Sequence, residues 1–356
     1  MHVRFFVQEN VTPTLSLATD WFFLQVVRQT EEAVLRVYAF PGDVLLIGRY
    51  HELGKLPDSG QVTVTRSLTG GRVVPAGRGF VQFSVILPHR SAFFSDDPYN
   101  LAPFQVLNRY ARPLVQGLKA GGVDVFYPGR DLFTVRQQPL SWISFTTEED
   151  GALLCEGGIA VSRDFSLLPY LLDRVDPQGT IPAQFFAPEQ VTSLERVVEK
   201  TVAFAQVAAL LRRGFAQQPG LELADQDLSE AEHAAISALA ESRSASEWLQ
   251  SRPLRLDLPF HATTATQLGV LQIRFALTAE KTLAEVQFGG DLIANSAAIR
   301  ALEQELRGCA LERETLWRVV DQIFLQPQHY LLGIGPLQVI PDTLLKGYIS
   351  QPIGQV

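Results

Sequence analysis

Between Arg66 and Ser84 the chain reads RSLTGGRVVPAGRGFVQFS, a paired glycine held between the strand-like run QVTVTRSL and the apolar run GFVQFSVIL. Glycine reaches backbone angles closed to other residues and leaves room for a close approach, so Thr69, Gly70 and Gly71 read as a tight turn between strands. Arg66, Arg72 and Arg78 surround that turn. Two readings follow from the same residues. One is a β-hairpin carrying solvated arginines; the other is a cradle whose backbone N–H groups and guanidiniums receive an anion.

The flanking sequence extends the sheet. VLRVYAF, VLLIGRY and VTVTRSL alternate with Gly and Pro punctuation, while WFFLQVV and FQVLNRYARPLVQGLKAGG carry helical spacing, which together is α+β patterning. From 191 to 249 the periodicity is helical, and Ser229 with Glu232 stands in capping-box spacing at the head of SEAEHAAISALAES. SRPLRLDLP, with two prolines, is the best linker candidate. Beyond it LGVLQIRFALT and LAEVQFGGDLI read as strands, followed by the helix NSAAIRALEQELRG closed at Gly308. The expected division is residues 1–250 as one unit, 251–328 as a small α/β unit and 329–356 as a C-terminal tail.

Composition narrows what such a chain can meet. A formal net charge of -8 over 356 residues argues against nucleic acid, whose binding rests on neutralising phosphates. No apolar run reaches the eighteen or so residues of a membrane span, and MHVRFFVQEN breaks too early for a secretory signal, so the expected location is the cytoplasm, away from the membrane. Cys155 and Cys309 have no metal-ligand or disulfide spacing and read as reduced thiols. Among 30 basic residues only Lys55, Lys119, Lys200, Lys281 and Lys346 are lysines, and none falls between Ala120 and Glu199.

Seven stretches, taken in order, resemble the lipoate-protein ligase family. VLLIGRYHEL resembles the strand and GRxQ-like turn before the glycine loop, TRSLTGGRVVPAGRGFVQFS the loop RRxTGGGxVxHxxGxxxxS, and YPGRDLFTV the segment GRNDIxV. CEGGIAVSRDFSLLPYLL resembles HGxLLxxxDLxxLxxxL; QVTSLERVV and SEWLQSRP resemble VTSL and EWxxGxxP; VQFGGDLIANSAAIRALEQELRG resembles the GDFF-then-helix unit of the accessory domain. The resemblance spans about Ser16 to Gln328. It implies a biotin/lipoate-ligase-type mixed sheet with packed helices plus a small accessory domain. It also implies adenylation of lipoate or octanoate with ATP and Mg²⁺, and transfer of the acyl group to a lysine of a lipoyl-domain carrier protein.

Such chemistry presses a carboxylate against an α-phosphate and needs fixed positive charge and N–H donors. The resemblance places Arg66, Thr69, Gly70, Gly71, Arg72, Gly79 and Asp131 in the substrate and nucleotide site, facing a pocket shared with the turn at Pro139. Yet Pro139 takes the position of the family's lysine and Trp142 that of the following glycine, Ser67 replaces the second arginine of the loop, Arg72 its third glycine and Ala76 its histidine; Asp131 and Leu132 stand where Asn and Asp are usual. Proline supplies neither cation nor N–H. The second function class is therefore a ligase-fold protein that binds nucleotide, acyl group or carrier without adenylating. Of the remaining candidates, Cys155 has no histidine within sixty residues and reads as a small buried hydrophobe, His51 reads as a positioning or surface residue rather than a base, and Trp142 and Phe145 as tunnel lining, plug or core.

Overall fold

A computed structural model describes residues 1–56, 61–242 and 245–350. A seven-stranded mixed sheet, in the strand order Glu222–Asp225, His2–Gln8, Ala33–Tyr38, Phe80–Leu87, Leu153–Ala160, Gln138–Thr147, Leu132–Val135, lies at its centre, and a three-stranded sheet, in the order Val62–Arg66, Asp43–Ile47, Val74–Pro75, lies beside it. The elements follow in chain order. These are β1 (His2–Gln8), α1 (Pro13–Thr30), β2 (Ala33–Tyr38), β3 (Asp43–Ile47), β4 (Val62–Arg66), β5 (Val74–Pro75), β6 (Phe80–Leu87), α2 (Pro103–Ala120), β7 (Leu132–Val135), β8 (Gln138–Thr147) and β9 (Leu153–Ala160). Next come α3 (Leu168–Val175), α4 (Leu194–Val198), α5 (Phe204–Ala216), β10 (Glu222–Asp225), α6 (Glu230–Ser242) and α7 (Ala245–Leu249).

Local chemistry explains the principal helices. In α1, Thr12 caps the first turn by accepting from the Leu15 N–H at 3.3 Å, Pro13 supplies a pre-set φ, and Glu31 ends the helix in the left-handed region at φ 53°. In α2, Val106, Tyr110, Leu114 and Leu118 recur every four residues and are buried against the sheet. Each such side chain contributes roughly 1.5–3 kcal/mol. These residues join Phe83, Ile143, Phe145 and Phe215 in the largest apolar core, on one face of the sheet.

The stretch 191–249, expected to be helical, holds four helices and also β10, which pairs in parallel with β1 at the sheet edge. Four residues of strand inside a helical stretch are too short for a period to register. The capping box is present: the Ser229 N–H donates to Glu232 at 2.7 Å and the Glu232 N–H donates back to Ser229 Oγ at 3.3 Å.

After the linker the chain forms an antiparallel sheet of β11 (Phe260–Ala265), β12 (Val270–Leu277) and β13 (Leu283–Gly290), then β14 (Ile293–Ala294), α8 (Ser296–Glu305), α9 (Arg313–Phe324), β15 (Leu331–Leu332) and α10 (Val339–Ile349). A second apolar core gathers Phe275, Phe288, Leu302, Leu316 and Val320 here. Ile340 and Leu344 of α10 belong to that core, so the stretch after Gln328 continues as packed structure through α10. Among the described residues no helix is long and apolar enough to cross a membrane.

Candidate functional site

The glycine turn is not the tip of a hairpin. β4, which leads into it, and β5, which follows it, do not pair with each other: both pair with β3, β4 in parallel and β5 antiparallel, at opposite edges of the small sheet. The turn therefore carries the chain from one edge of the small sheet to the other, over the face of the large sheet opposite α2, with entry into the large sheet only at β6. It lands against β8, where Ser144 Oγ donates to the Gly70 carbonyl at 3.0 Å, and against the small unit, where the Gly71 N–H donates to the Leu292 carbonyl at 2.7 Å. A Cβ at Gly70 would overlap that same carbonyl, so only glycine allows the approach. Gly71 adopts φ 98°.

Beneath the turn, four strands set polar residues side by side: Arg36 of β2 opposite Ser84 of β6, Ser84 opposite Glu156 of β9, and Glu156 opposite Ser144 of β8. Arg36 pairs with Asp20 of α1 at 2.9 Å, and Ser84 Oγ donates to the other Asp20 oxygen at 3.1 Å. The buried Glu156 carboxylate accepts from the hydroxyls of Ser67 and Thr69, and from the Thr69 N–H at 3.2 Å. Burial pushes its carboxyl above the ordinary range, and the bonds from Ser67 and Thr69 oppose that shift. Asp20 moves the same way for the same first reason, with Arg36 opposing.

The adjoining row holds Tyr38, Gln82, Gly158 and Trp142. Both amide atoms of Gln82 and the Trp142 Nε1 are buried without a partner, and a Cβ at Gly158 would crowd both groups. Trp142 belongs to an apolar cluster with Val74, Ala76 and Phe80, so its indole occupies space that a glycine at this position would leave open.

The expected site residues are distributed as follows. Arg66 is 1% exposed, and its guanidinium meets the carbonyls of Gly48, Arg49, His51 and Leu249 at 2.8–3.2 Å. Burial lowers its pKa to about 9, with Arg252 and Arg49 adding to the effect, so it stays charged at neutral pH as a clamp between loops. Thr69 turns inward to Glu156. Arg72 forks onto Asp131 and also reaches Gln184. Burial raises the Asp131 carboxyl, opposed by Arg72. Asp131 is thus joined to the glycine turn through Arg72.

Gly79, at φ 86°, packs against Ser162 and Arg163, and its carbonyl accepts the Val161 N–H at 2.9 Å. Pro139 is buried and its carbonyl accepts the Thr192 N–H at 3.2 Å. It lies five residues along β8 from Ser144, a separation of roughly 17 Å at the usual strand rise. The structure gathers Thr69, Gly70, Gly71, Arg72 and Asp131 on one path and sets Arg66, Gly79 and Pro139 into other contacts.

His51 is fully buried and so is no surface residue; its Nε2 lies 3.2 Å from the Gly71 carbonyl and 3.1 Å from Asp291, bridging the two units. Cys155 is buried and its thiol is pushed far up by burial, as a small hydrophobe requires. Phe145 stacks on Tyr330 at 4.9 Å on the opposite core face.

Glu156, Ser144, Asp20 and Leu292 carry much of this geometry and had no standing in the sequence reading. The signal for Glu156 was present, since it takes the histidine position of the HGxLL-like segment beside Ser67, itself a replacement. The contribution of Leu292 is a backbone carbonyl, which no side-chain pattern announces.

A nucleotide cradle needs free N–H donors and unpaired cations. Here the Gly71 N–H serves Leu292, the Thr69 N–H serves Glu156, Arg72 is neutralised by Asp131, and a carboxylate lies beneath the turn. Among the described residues no cluster of three or more His, Cys, Asp or Glu side chains is placed to hold a metal ion. In this arrangement the Thr69 and Gly71 N–H groups and the Arg72 cation are already engaged, which does not fit a triphosphate held by this turn.

Comparison with known proteins agrees on kinship. The family described as lipoyl protein ligase A/B catalytic domain matches residues 12–216. Octanoyltransferase LipM of Staphylococcus aureus is 23% identical over 268 residues, covering 67% of this chain and 94% of that protein. P. falciparum LipL1, solved in complex with lipoate, aligns with a TM-score of 0.68 at 14% identity over 97% of this chain and 100% of its own. A bi-partite lipoate protein ligase from Thermoplasma acidophilum aligns with a TM-score of 0.54 at 17% identity over 71% and 98%. At such identities the structural likeness shows the shared fold.

Proposed function

Because the chain belongs to the lipoyl protein ligase A/B catalytic-domain family, we propose that it is a ligase-fold protein that recognises a lipoyl- or octanoyl-type acyl group, or the lipoyl-domain carrier that bears one, without adenylating the acid. The observation that carries this reading is the state of the glycine turn. Its Gly71 N–H is bonded to Leu292 and its neighbouring cation is neutralised by Asp131, while the lysine position is Pro139. Adenylation must hold two anions together, and an uncompensated carboxylate in an apolar site costs several kcal/mol. Deleting one preorganised donor typically slows such chemistry by about 10²- to 10³-fold, and here the lysine is replaced and the N–H is bonded elsewhere. Two separated free thiols are consistent with a cytoplasmic setting.

The test is pyrophosphate release from ATP, Mg²⁺ and lipoate or octanoate, with calorimetric titration of the same acids and of a lipoyl domain. The expected result is saturable binding of an acid or of the lipoyl domain, with pyrophosphate release no faster than in an ATP-only control. Pro139→Lys combined with Trp142→Gly is expected to raise release. Robust lipoylation of a lipoyl domain by the unmodified protein, lost in Arg72→Ala, would replace this reading with that of an active ligase using Arg72 as its cation.

A further inference from the structure

A cavity of about 500 Å³ opens between the end of β6, the β8–β9 turn and the loop after α9, away from the glycine turn's own contacts. Arg90 lines it and is 6% exposed. Its Nη1 donates to the Pro327 carbonyl at 3.2 Å, its Nε is buried without an acceptor, and the Tyr99 ring lies 5.3 Å away. Three carboxylates share the lining, but each already has an arginine: Glu148 with Arg49 at 3.4 Å, Glu149 with Arg300, and Asp150 with Arg28 at 4.0 Å. Among the described residues no carboxylate pairs with Arg90. Burial lowers its pKa, and Tyr330, Tyr99 and then Asp97 offset this only in part.

Two histidines complete the wall. His89 Nδ1 accepts the Ser91 N–H at 3.3 Å, which places the proton of the neutral ring on Nε2 as a donor. His329 Nδ1 lies 2.9 Å from the Ile323 carbonyl and donates to it, so Nε2 is the acceptor of the ring in its neutral form. A guanidinium without a counter-ion, one N–H donor and one acceptor suit an anion that carries both bare oxygens and a hydroxyl. Carboxylates have no such hydroxyl when ionised; hydrogen phosphate does. We propose that this cavity is a phosphate-binding site, for free phosphate or the terminal group of a phosphomonoester, with Arg90 as its principal cation.

The site draws Arg90 and His89 from the large-sheet unit and His329 and the Pro327 carbonyl from the small one, so an occupant ties the two together. It is independent of acyl recognition. The experiment is calorimetric titration of the full chain with inorganic phosphate, AMP and acetate in turn. Expected is saturable binding of phosphate or AMP, weakened about tenfold or more in Arg90→Gln, as the loss of a charge-assisted contact implies. The same affinity should persist in Arg313→Gln, whose arginine pairs with Asp342 on a distant surface. If Arg90→Gln fails to fold, His89→Gln is read instead, with an expected loss of about fivefold. No binding of phosphate or AMP, binding unchanged in these variants, or acetate binding as tightly as phosphate would each overturn the proposal.

Discussion

Glu156 shows how one buried side chain can set the pH response of the region under the turn. Its carboxyl accepts from Ser67 and Thr69 and, among the described residues, has no cation in direct contact, while Arg36 is committed to Asp20. A carboxyl raised above its unfolded value binds its proton more tightly when folded. Its stabilisation is therefore complete below the unfolded pKa and is lost as pH rises through the folded one. Glu156→Gln retains an oxygen acceptor for Ser67 and Thr69 without the charge. Thermal melts of both proteins between pH 4.5 and 8 are expected to show the variant gaining on the wild type as pH rises. A constant difference across that range would mean that Glu156 is already ionised and compensated in the fold. At this scale the sequence was partly legible: Pro139, Trp142, Ser67 and Arg72 were visible as replacements. The use of Arg66 was hidden, because its partners are four backbone carbonyls, which carry no residue signature.

Elements with strong local codes were read correctly, and elements defined by distant pairing were not. The head of α6 was legible in Ser229 and Glu232, whereas the head of α1, set by Thr12 and Pro13, lies upstream of the stretch WFFLQVV read as helix. In α6 the capping box is reinforced by Arg4 of β1, which forks onto Glu232 at 2.5 and 2.9 Å and pulls its carboxyl down to about 2. Ser229→Ala is expected to cost about 1 kcal/mol and to lower the melting temperature by a few degrees, with fraying of α6 visible by hydrogen exchange before other helices. The glycine turn is the contrary case. Strand-like flanks suggested a hairpin, yet β4 and β5, on either side of the turn, both pair with β3 from opposite edges, and the apolar run read as the second arm, β6, pairs with β2 and β9 in the large sheet. Gly70→Ala would drive a methyl group into the Leu292 carbonyl, at an expected cost of about 1–3 kcal/mol in denaturant melts. An unchanged midpoint would show that the turn and the small unit can separate without loss.

At the scale of the whole chain, the small unit is fastened by contacts whose partners lie far apart in sequence, which is why a linker was legible and its tethering was not. The Leu53 N–H donates to Arg252 and the Leu254 N–H donates back to Leu53, each at 2.9 Å, so the proline-containing connection is itself strand-paired to the large unit. Gly71 reaches Leu292 across the centre. At the far end the Tyr330 hydroxyl accepts the Thr147 N–H at 2.9 Å while its ring stacks on Phe145. Three ties spread along the interface favour one cooperative unfolding transition by calorimetry. Tyr330→Phe keeps the stacked ring and removes the acceptor. It leaves the Thr147 N–H unsatisfied at a cost of about 1–3 kcal/mol, concentrated at this interface. Limited proteolysis is expected to leave residues 251–258 intact in the wild type until global unfolding. In the variant, cleavage there should precede loss of the far-ultraviolet circular dichroism signal. Equal resistance in both proteins would show that the Leu53 pairing and Leu292 hold the small unit without help from Tyr330, whereas early cleavage in the wild type would mean that the ties do not persist in solution.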